Sequence, residues 1–283
     1  IEFNRDFADI DVLYDLAFLL MDLDYRGLGR LGSMVFNRYF DVTGALMETP
    51  SALPVLALFL AMRAAVRAHV DAAQAGMLSD RDKRDDRAAE ARCYLDLALG
   101  YLSPPSPRLV AVGGLSGSGK SRMSRELASY LGARPGARVV RTDVVRKRLF
   151  GVAPETRLPD DAYSGEMHKR TYEAFMAEVT EALAQGQAVI ADGVFAGVRQ
   201  RAAIRDLAAD AGVPFNGIWM TAAPEVMTER VVNRRFDASD ATADVLREQL
   251  IWDTGTMDWA VVDSAGEKSA TLAAGLAVLG IDN

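Results

Sequence analysis

Apolar positions recur every three or four residues through the first hundred residues, then give way to short unbroken apolar runs separated by helical spacing. From Asp11 to Tyr25, the residues Val12, Leu16, Leu19, Leu20 and Leu23 share one face, which predicts an amphipathic helix. Gly27 to Gly32 breaks it. Met34 to Val42 predicts a second helix, ended by Gly44. A third opens at Ser51 or Pro54 and runs to Ala75, stopped by Gly76. A fourth carries the mixed charge run Asp80 to Arg92, followed by Cys93, Leu95, Leu97 and Leu99. That run reads as a solvated helix face with both signs interspersed.

The period changes at Arg108. Arg108 to Val112, Arg138 to Thr142, Ala188 to Ala191, Phe215 to Met220 and Trp259 to Val262 predict five buried strands. Helical spacing separates them: a stretch ending at Tyr130, then Tyr163 to Gln185, Val198 to Ala211 and Glu225 to Arg235, with Lys268 to Leu279 closing the chain. Strands alternating with helices predict an α/β class with a parallel sheet covered on both faces. Between the two patterns lies Ser103-Pro104-Pro105-Ser106-Pro107, whose prolines exclude helix and favour an extended spacer. The expected division is a helical domain at 1–102, a linker at 103–107 and a second domain at 108–283.

Composition narrows the chemistry. Of 283 residues, 50% are apolar and 25% charged, ordinary for a globular chain long enough to bury a core without covalent staples. A single cysteine, Cys93, excludes an intrachain disulfide framework and a cysteine-rich zinc site. Two histidines, His69 and His168, argue against a histidine-built metal centre. The net charge of −7 falls as −5 on residues 1–102 and −2 on the rest, which weighs against general nucleic-acid or anionic-membrane binding. The apolar run Ala52 to Met62 is short for a bilayer span, and no secretory signal opens the chain. A cytoplasmic protein is expected. The start at Ile1 rather than Met is expected of a fragment or a processed chain.

The strongest motif is Gly114-Leu115-Ser116-Gly117-Ser118-Gly119-Lys120-Ser121, the Walker A pattern, after a predicted strand and at the start of a helix. Glycines at 114, 117 and 119 let backbone N–H groups, with those of Ser116 and Ser118, wrap phosphate oxygens. The following helix adds its positive end. Lys120 reaches the β- and γ-phosphates, and the Ser121 hydroxyl is a ligand for Mg²⁺. Asp143, just after the second strand, lies beyond a strand's carboxyl end, where open parallel sheets bind ligands. It is a candidate general base, or alternatively a helix N-cap. Arg146 is a candidate contact to an acidic substrate, unless Arg146-Lys147-Arg148 is a solvated face. Asp192, ending the third strand before Gly193, is a candidate Mg²⁺ ligand of Walker B type, with a turn role as the alternative. Arg230 and Arg234, four apart and followed by Arg235 and the polar loop Asp237 to Thr242, read as a lid that brings guanidinium groups over a transferring phosphate, or as a surface helix with ordinary ion pairs. His168, Trp219, Trp252 and Trp259 receive no catalytic role.

On these residues the second half resembles P-loop kinases of the adenylate-kinase-like group. Gly114 to Ser121 is similar to the loops of gluconate kinase and polynucleotide-kinase-type proteins. The resemblance implies a five-stranded parallel sheet of order 2-3-1-4-5, Asp143 as general base, and Arg230 and Arg234 as lid arginines. Ile1-Glu2-Phe3-Asn4 and Asp11 to Leu23 look like the C-terminal part of an aminoglycoside-phosphotransferase-like domain. Taken together, the chain resembles bifunctional aminoglycoside phosphotransferase/ATP-binding proteins. It departs from them in the first half, where no His-Gly-Asp-type catalytic loop is present; His69-Val70-Asp71 falls inside a predicted helix and in the wrong order. Residues 1–102 are therefore expected to be non-catalytic. The expected activity is transfer of the γ-phosphate of ATP, with Mg²⁺, to a small hydroxylated acceptor. Alternatives are a non-catalytic ATP-binding switch for a protein partner and a 5′-hydroxyl polynucleotide kinase. Neither the acceptor nor the oligomeric state is readable.

Overall fold

The computed structural model describes residues 11–48, 52–234 and 237–281. The sequence expectations for Ile1 to Asn4, Ser51 and Arg235 lie outside these residues.

Five helices come first: α1 (Val12–Tyr25), α2 (Gly29–Thr43), the single turn α3 (Ala45–Glu48), α4 (Ala52–Met77) and α5 (Arg81–Leu102). The Asp11 carboxylate caps α1 by accepting from the Leu13 amide at 2.9 Å, and Asp80 caps α5 by accepting from the Lys83 amide. The turn between α1 and α2 is tighter than expected. Gly27 takes the left-handed conformation (φ +71°), and α2 is already formed at Gly29 with Gly32 inside it. Gly32 is buried beside Leu23 and Pro135, and this packing overrides the loss of about 1 kcal/mol that glycine brings to a helix. Likewise Gly76 does not stop α4, which reaches Met77. At that length α4 is long and apolar enough to cross a membrane by composition, which the run Ala52 to Met62 is not. Here it packs along α5 and α1, with Ala64, Ala68 and Asp71 buried.

After the proline segment the chain alternates: β1 (Leu109–Gly113), α6 (Lys120–Ala128), β2 (Arg138–Arg141), α7 (Thr142–Leu149), a 3-10 turn (Asp160–Tyr163), α8 (Gly165–Ala184), β3 (Val189–Asp192), α9 (Val198–Asp210), β4 (Phe215–Thr221), α10 (Pro224–Val232), α11 (Ala243–Leu250), β5 (Ala260–Asp263) and α12 (Lys268–Val278). The five strands are parallel in the order β2-β3-β1-β4-β5. Alternation along β1 sorts the core. Val110 and Val112 pack with Met123 and Leu127 of α6 and Leu276 of α12. Leu109 and Ala111 face the other way, toward Phe175 and Val179 of α8 and Ile204 of α9. That second core runs without a break into Phe36, Phe40, Leu53 and Leu60 of the helical region. The helical region and the sheet thus share one apolar core.

Two departures from the pattern affect the site. The helix expected to reach Arg235 ends at Val232, so Arg234 lies beyond it and does not share a helical face with Arg230. Helix α11 is amphipathic but short, and no strand-like run flags it.

Candidate functional site

The glycine-rich loop leaves β1 and turns into α6, with Gly119 (φ +87°) at the helix cap. The turn is held on both sides. The Gly114 amide donates to the Val194 carbonyl at 3.1 Å, and the Ser116 amide to Gln249 Oε1 at 2.7 Å. Ser264 Oγ donates to the Ser118 carbonyl at 2.7 Å. Gly117 has φ +80°, and a Cβ there would lie 2.4 Å from the Met227 carbonyl oxygen, so α10 closes directly onto the loop. Ser118 Oγ is buried with no hydrogen-bond partner among the described residues.

Lys120 opens α6, its ammonium reaching back to the Leu115 carbonyl at 3.4 Å. Burial holds its pKa below the ordinary lysine value, against the opposing charges of Asp192 and Asp143. Asp192, the last residue of β3, is 2% exposed, and burial pushes its carboxyl up. Three neighbours act the other way: Arg141, Lys120 and the Ser121 hydroxyl. Oδ2 of Asp192 has no hydrogen-bond partner among the described residues, although Arg141 Nε lies 3.3 Å away. A buried carboxylate oxygen left without a hydrogen bond, beside a serine hydroxyl, suits a small hard cation that takes its other ligands from phosphate and water.

Asp143 lies in the first turn of α7, half-buried, and among the described residues its carboxylate makes no hydrogen bond. It does not cap the helix; Arg141 holds the cap position, without a side-chain bond. Lys120, Ser121, Asp143 and Asp192 are therefore gathered at the carboxyl ends of β1, β2 and β3.

The basic triplet is not a solvated face. Arg146 donates to the Ala162 carbonyl at 2.8 Å and to Nδ1 of His168 at 3.0 Å, and its guanidinium lies 4.9 Å from the Tyr163 ring centre. Lys147, 1% exposed, donates to the Thr156 carbonyl and pairs with Asp240. Arg148 pairs with Glu178. Charged groups buried this deeply need partners, and here the partners lie on α8, in the 150–163 segment and in the 237–242 loop.

The two lid arginines are set differently. Arg230 donates to the Gly117 carbonyl at 3.3 Å, to Ser264 Oγ at 2.8 Å and to the Ser264 carbonyl at 2.6 Å, clamping the glycine-rich loop to the end of β5. Among the described residues Arg234 donates only to the Ser239 carbonyl, at 3.5 Å, and its charge is felt by Lys120 and Asp237. It lines a cleft of about 360 Å³ with Arg157, Asp237, Ser239, Asp240 and Thr242.

Sequence reasoning missed Arg141, which pairs with Asp192 and, at 2.7 Å, with Asp237. Burial opposes its charge, but these two carboxylates outweigh burial and raise its pKa. It also missed Gln249, Ser264 and the Lys147–Asp240 pair. The one available signal was Arg141 itself, an arginine at the carboxyl end of a strand buried along its whole length.

The whole chain is 31% identical over 280 residues to "Uncharacterized protein Rv2004c" of Mycobacterium tuberculosis (strain ATCC 25618 / H37Rv), and equally to "Uncharacterized protein Mb2027c" of Mycobacterium bovis (strain ATCC BAA-935 / AF2122/97). The match takes in 96% of this chain but 53% of each relative, so the chain spans about half their length. Among solved structures, 62% of the chain is similar to 92% of a gluconokinase from Sinorhizobium meliloti 1021 (22% identity, TM-score 0.42). The same share is similar to 99% of the Mycobacterium tuberculosis APS kinase CysC in complex with AMPPNP and APS (18% identity, TM-score 0.46). The AAA domain profile AAA_33 matches residues 109–252, from the first residue of β1 to just past α11, a span that holds Lys120, Ser121, Asp143 and Asp192, and by that match the chain belongs to the AAA domain family.

Proposed function

We propose that the chain is an ATP- and Mg²⁺-dependent kinase that transfers the γ-phosphate to a small hydroxylated acceptor. The observation that carries this reading is the convergence of Lys120, Ser121, Asp143 and Asp192 at the start of α6. In it, the amides of Gly114 to Ser121 and the Lys120 ammonium hold the phosphates. Ser121 and Asp192 hold Mg²⁺, which when bound neutralises charge on the phosphate oxygens. Asp143, without a competing hydrogen bond, accepts the proton of the attacking hydroxyl. Arg234 closes over the phosphate being transferred, and Arg230 keeps the loop in shape. Arg146 faces the acceptor side, steadied by His168 and Tyr163.

Residues 108–283 carry the chemistry in this reading. In this reading residues 1–102, which resemble the C-terminal part of an aminoglycoside-phosphotransferase-like domain, take no part in the transfer. The protein works in the cytoplasm. The test is to follow label from γ-labelled ATP, with Mg²⁺, into a fractionated metabolite extract, with Asp143→Asn in parallel. Label in a new small molecule, lost in the variant while AMP-PNP affinity holds, supports the assignment. Label found only as free phosphate in both proteins overturns the kinase reading in favour of an ATPase, and label not transferred at all overturns it in favour of a binding switch.

A further inference from the structure

Strand β2 is the edge of the sheet, and Asn37 of helix α2, rather than another strand, meets its outer side. Asn37 does the work of a neighbouring strand. Its Oδ1 accepts from the Val139 amide at 2.7 Å, and its Nδ2 donates to the Ala137 carbonyl at 3.1 Å. One side-chain amide thereby pairs an edge donor and an edge acceptor that would otherwise be buried unpaired. One turn on, Asp41 pairs with Arg138 at 2.6 Å; Arg138 is 1% exposed and also pairs with the fully buried Glu178 of α8 at 2.8 Å. Between them, Arg38 grips Glu155 of the 150–163 segment with two bonds, at 2.5 and 3.1 Å. Three neighbouring residues of α2 therefore hold the strand that leads into Asp143 and the loop that flanks it.

We propose that α2 is part of the acceptor side of the site, with Asn37, Arg38 and Asp41 as positioning residues that fix β2 and the 150–163 segment relative to Asp143. This rests on the kinase reading for its consequence and on α2 geometry for its substance. It gives the helical region a task that a detached remnant would not have. The attachment of α2 is polar and directional at β2, where an apolar contact alone would leave the Val139 amide and the Ala137 carbonyl unpaired. The core shared by Phe36, Phe40 and the sheet supplies adhesion; the polar contacts fix where α2 sits on the strand.

The Arg38–Glu155 pair is exposed enough to be reversed without disturbing the core. The experiment is a charge-swap cycle on the full chain: Arg38→Glu, Glu155→Arg and the double variant. It is read by amide hydrogen exchange of residues 150–163, by ADP release at saturating MgATP with water as acceptor, and by AMP-PNP affinity. Each single reversal is expected to speed exchange of the segment about fivefold, the size of one good exposed pair. ADP release should change by about threefold or more with AMP-PNP affinity held within about twofold, and the double variant should restore both. Unchanged exchange, failure of the double variant to restore it, or raised exchange with unaltered ADP release would overturn the proposal. In the same series Asn37→Ala should expose the Val139 amide alone, its exchange rising about tenfold or more over that of Val140, as expected for an edge amide that has lost its acceptor. Failure of the kinase reading looks different: in the wild-type chain label from γ-labelled ATP would reach no small molecule, while exchange in the nucleotide-free chain would still decide whether α2 holds the segment.

Discussion

Arg141 and Asp192 stand in register at the carboxyl ends of the adjacent strands β2 and β3, guanidinium Nε 3.3 Å from carboxylate Oδ2. Both are nearly excluded from water, and the same guanidinium holds Asp237 of the 237–242 loop at 2.7 Å. One arginine thus ties the proposed Mg²⁺ ligand to the lid. Removing one partner of a buried pair leaves the other charge without compensation, at a cost of about 3 kcal/mol. Arg141→Met should lower the urea unfolding free energy by about that much. It should also weaken the Mg²⁺ dependence of AMP-PNP binding in calorimetry, because Asp192 loses the cation that most opposes its burial. Wild-type stability in the variant would show that the pair contributes nothing.

Asp237 gives the lid a defined response to acid. Burial raises its carboxyl, but the charge of Arg141 and its hydrogen bond outweigh burial, with Arg234 adding to them, and hold the pKa at about 2 against an ordinary 3.8. A carboxyl depressed on folding stabilises fully above its unfolded value and loses that contribution as pH falls through the folded one. Asp237→Asn should therefore be less stable than wild type by about 2 kcal/mol at neutral pH. In urea titrations the gap should begin to narrow below pH 3.8 and be nearly gone as pH approaches 2. A gap that is constant with pH would mean that the Asp237 charge is not what holds the loop.

The strands were legible because a parallel strand covered on both faces is mostly apolar, and five short runs rich in apolar residues stand out between glycines and helices. The Walker A loop was legible because its glycines are local requirements. What escaped was long-range. Arg141, Lys147 and Arg138 look like surface residues in the sequence; they are buried because Asp192, Asp240 and Glu178 reach them from 40 to 93 residues away. Arg138 additionally meets α2, about a hundred residues earlier. No periodicity reports such partners. Gly32 misled in the opposite sense: as a helix breaker it is weak, and packing against Leu23 and Pro135 decided the matter. The lid arginines were seen as a pair because spacing of four implies a shared face, yet the helix ends at Val232 between them.

Two glycines should respond oppositely to a methyl group. At Gly117 an alanine would have to adopt φ +80° with its Cβ 2.4 Å from a backbone oxygen of α10, so either the loop or α10 must move. Gly117→Ala should cost about 2 kcal/mol or more and abolish AMP-PNP binding in calorimetry. Gly76 lies in the last turns of α4 with nothing within 4 Å of its would-be Cβ. Gly76→Ala should raise stability by up to about 1 kcal/mol and leave nucleotide affinity alone. Equal effects at the two positions would contradict the close approach of α10 to the loop.

The unequal settings of Arg230 and Arg234 predict a separable pair of defects. Arg230 is saturated with contacts to Gly117 and Ser264, so its part is to keep the carbonyl side of the glycine-rich loop in place before any ligand arrives. Among the described residues Arg234 has a single long hydrogen bond, to Ser239, and it lines the cleft, so in the kinase reading its guanidinium meets charge that develops during transfer. An interaction present before and during reaction alters binding, whereas one made only in the transition state alters turnover. Arg230→Met should therefore weaken AMP-PNP binding about tenfold or more and lower the melting temperature, since three hydrogen bonds to a charged group are lost. Arg234→Met should leave AMP-PNP affinity within about threefold but slow ADP release at saturating MgATP by about a hundredfold, the size of losing one charge-stabilising donor. Ser264→Ala supplies the control, because it removes the Ser264 Oγ contacts to Arg230 and to the Ser118 carbonyl without touching Arg234. It should follow Arg230→Met in weakening binding. If Arg234→Met instead weakened AMP-PNP as strongly as Arg230→Met while leaving ADP release unchanged, Arg234 would be a ground-state phosphate contact and the division of labour between the two arginines would be wrong.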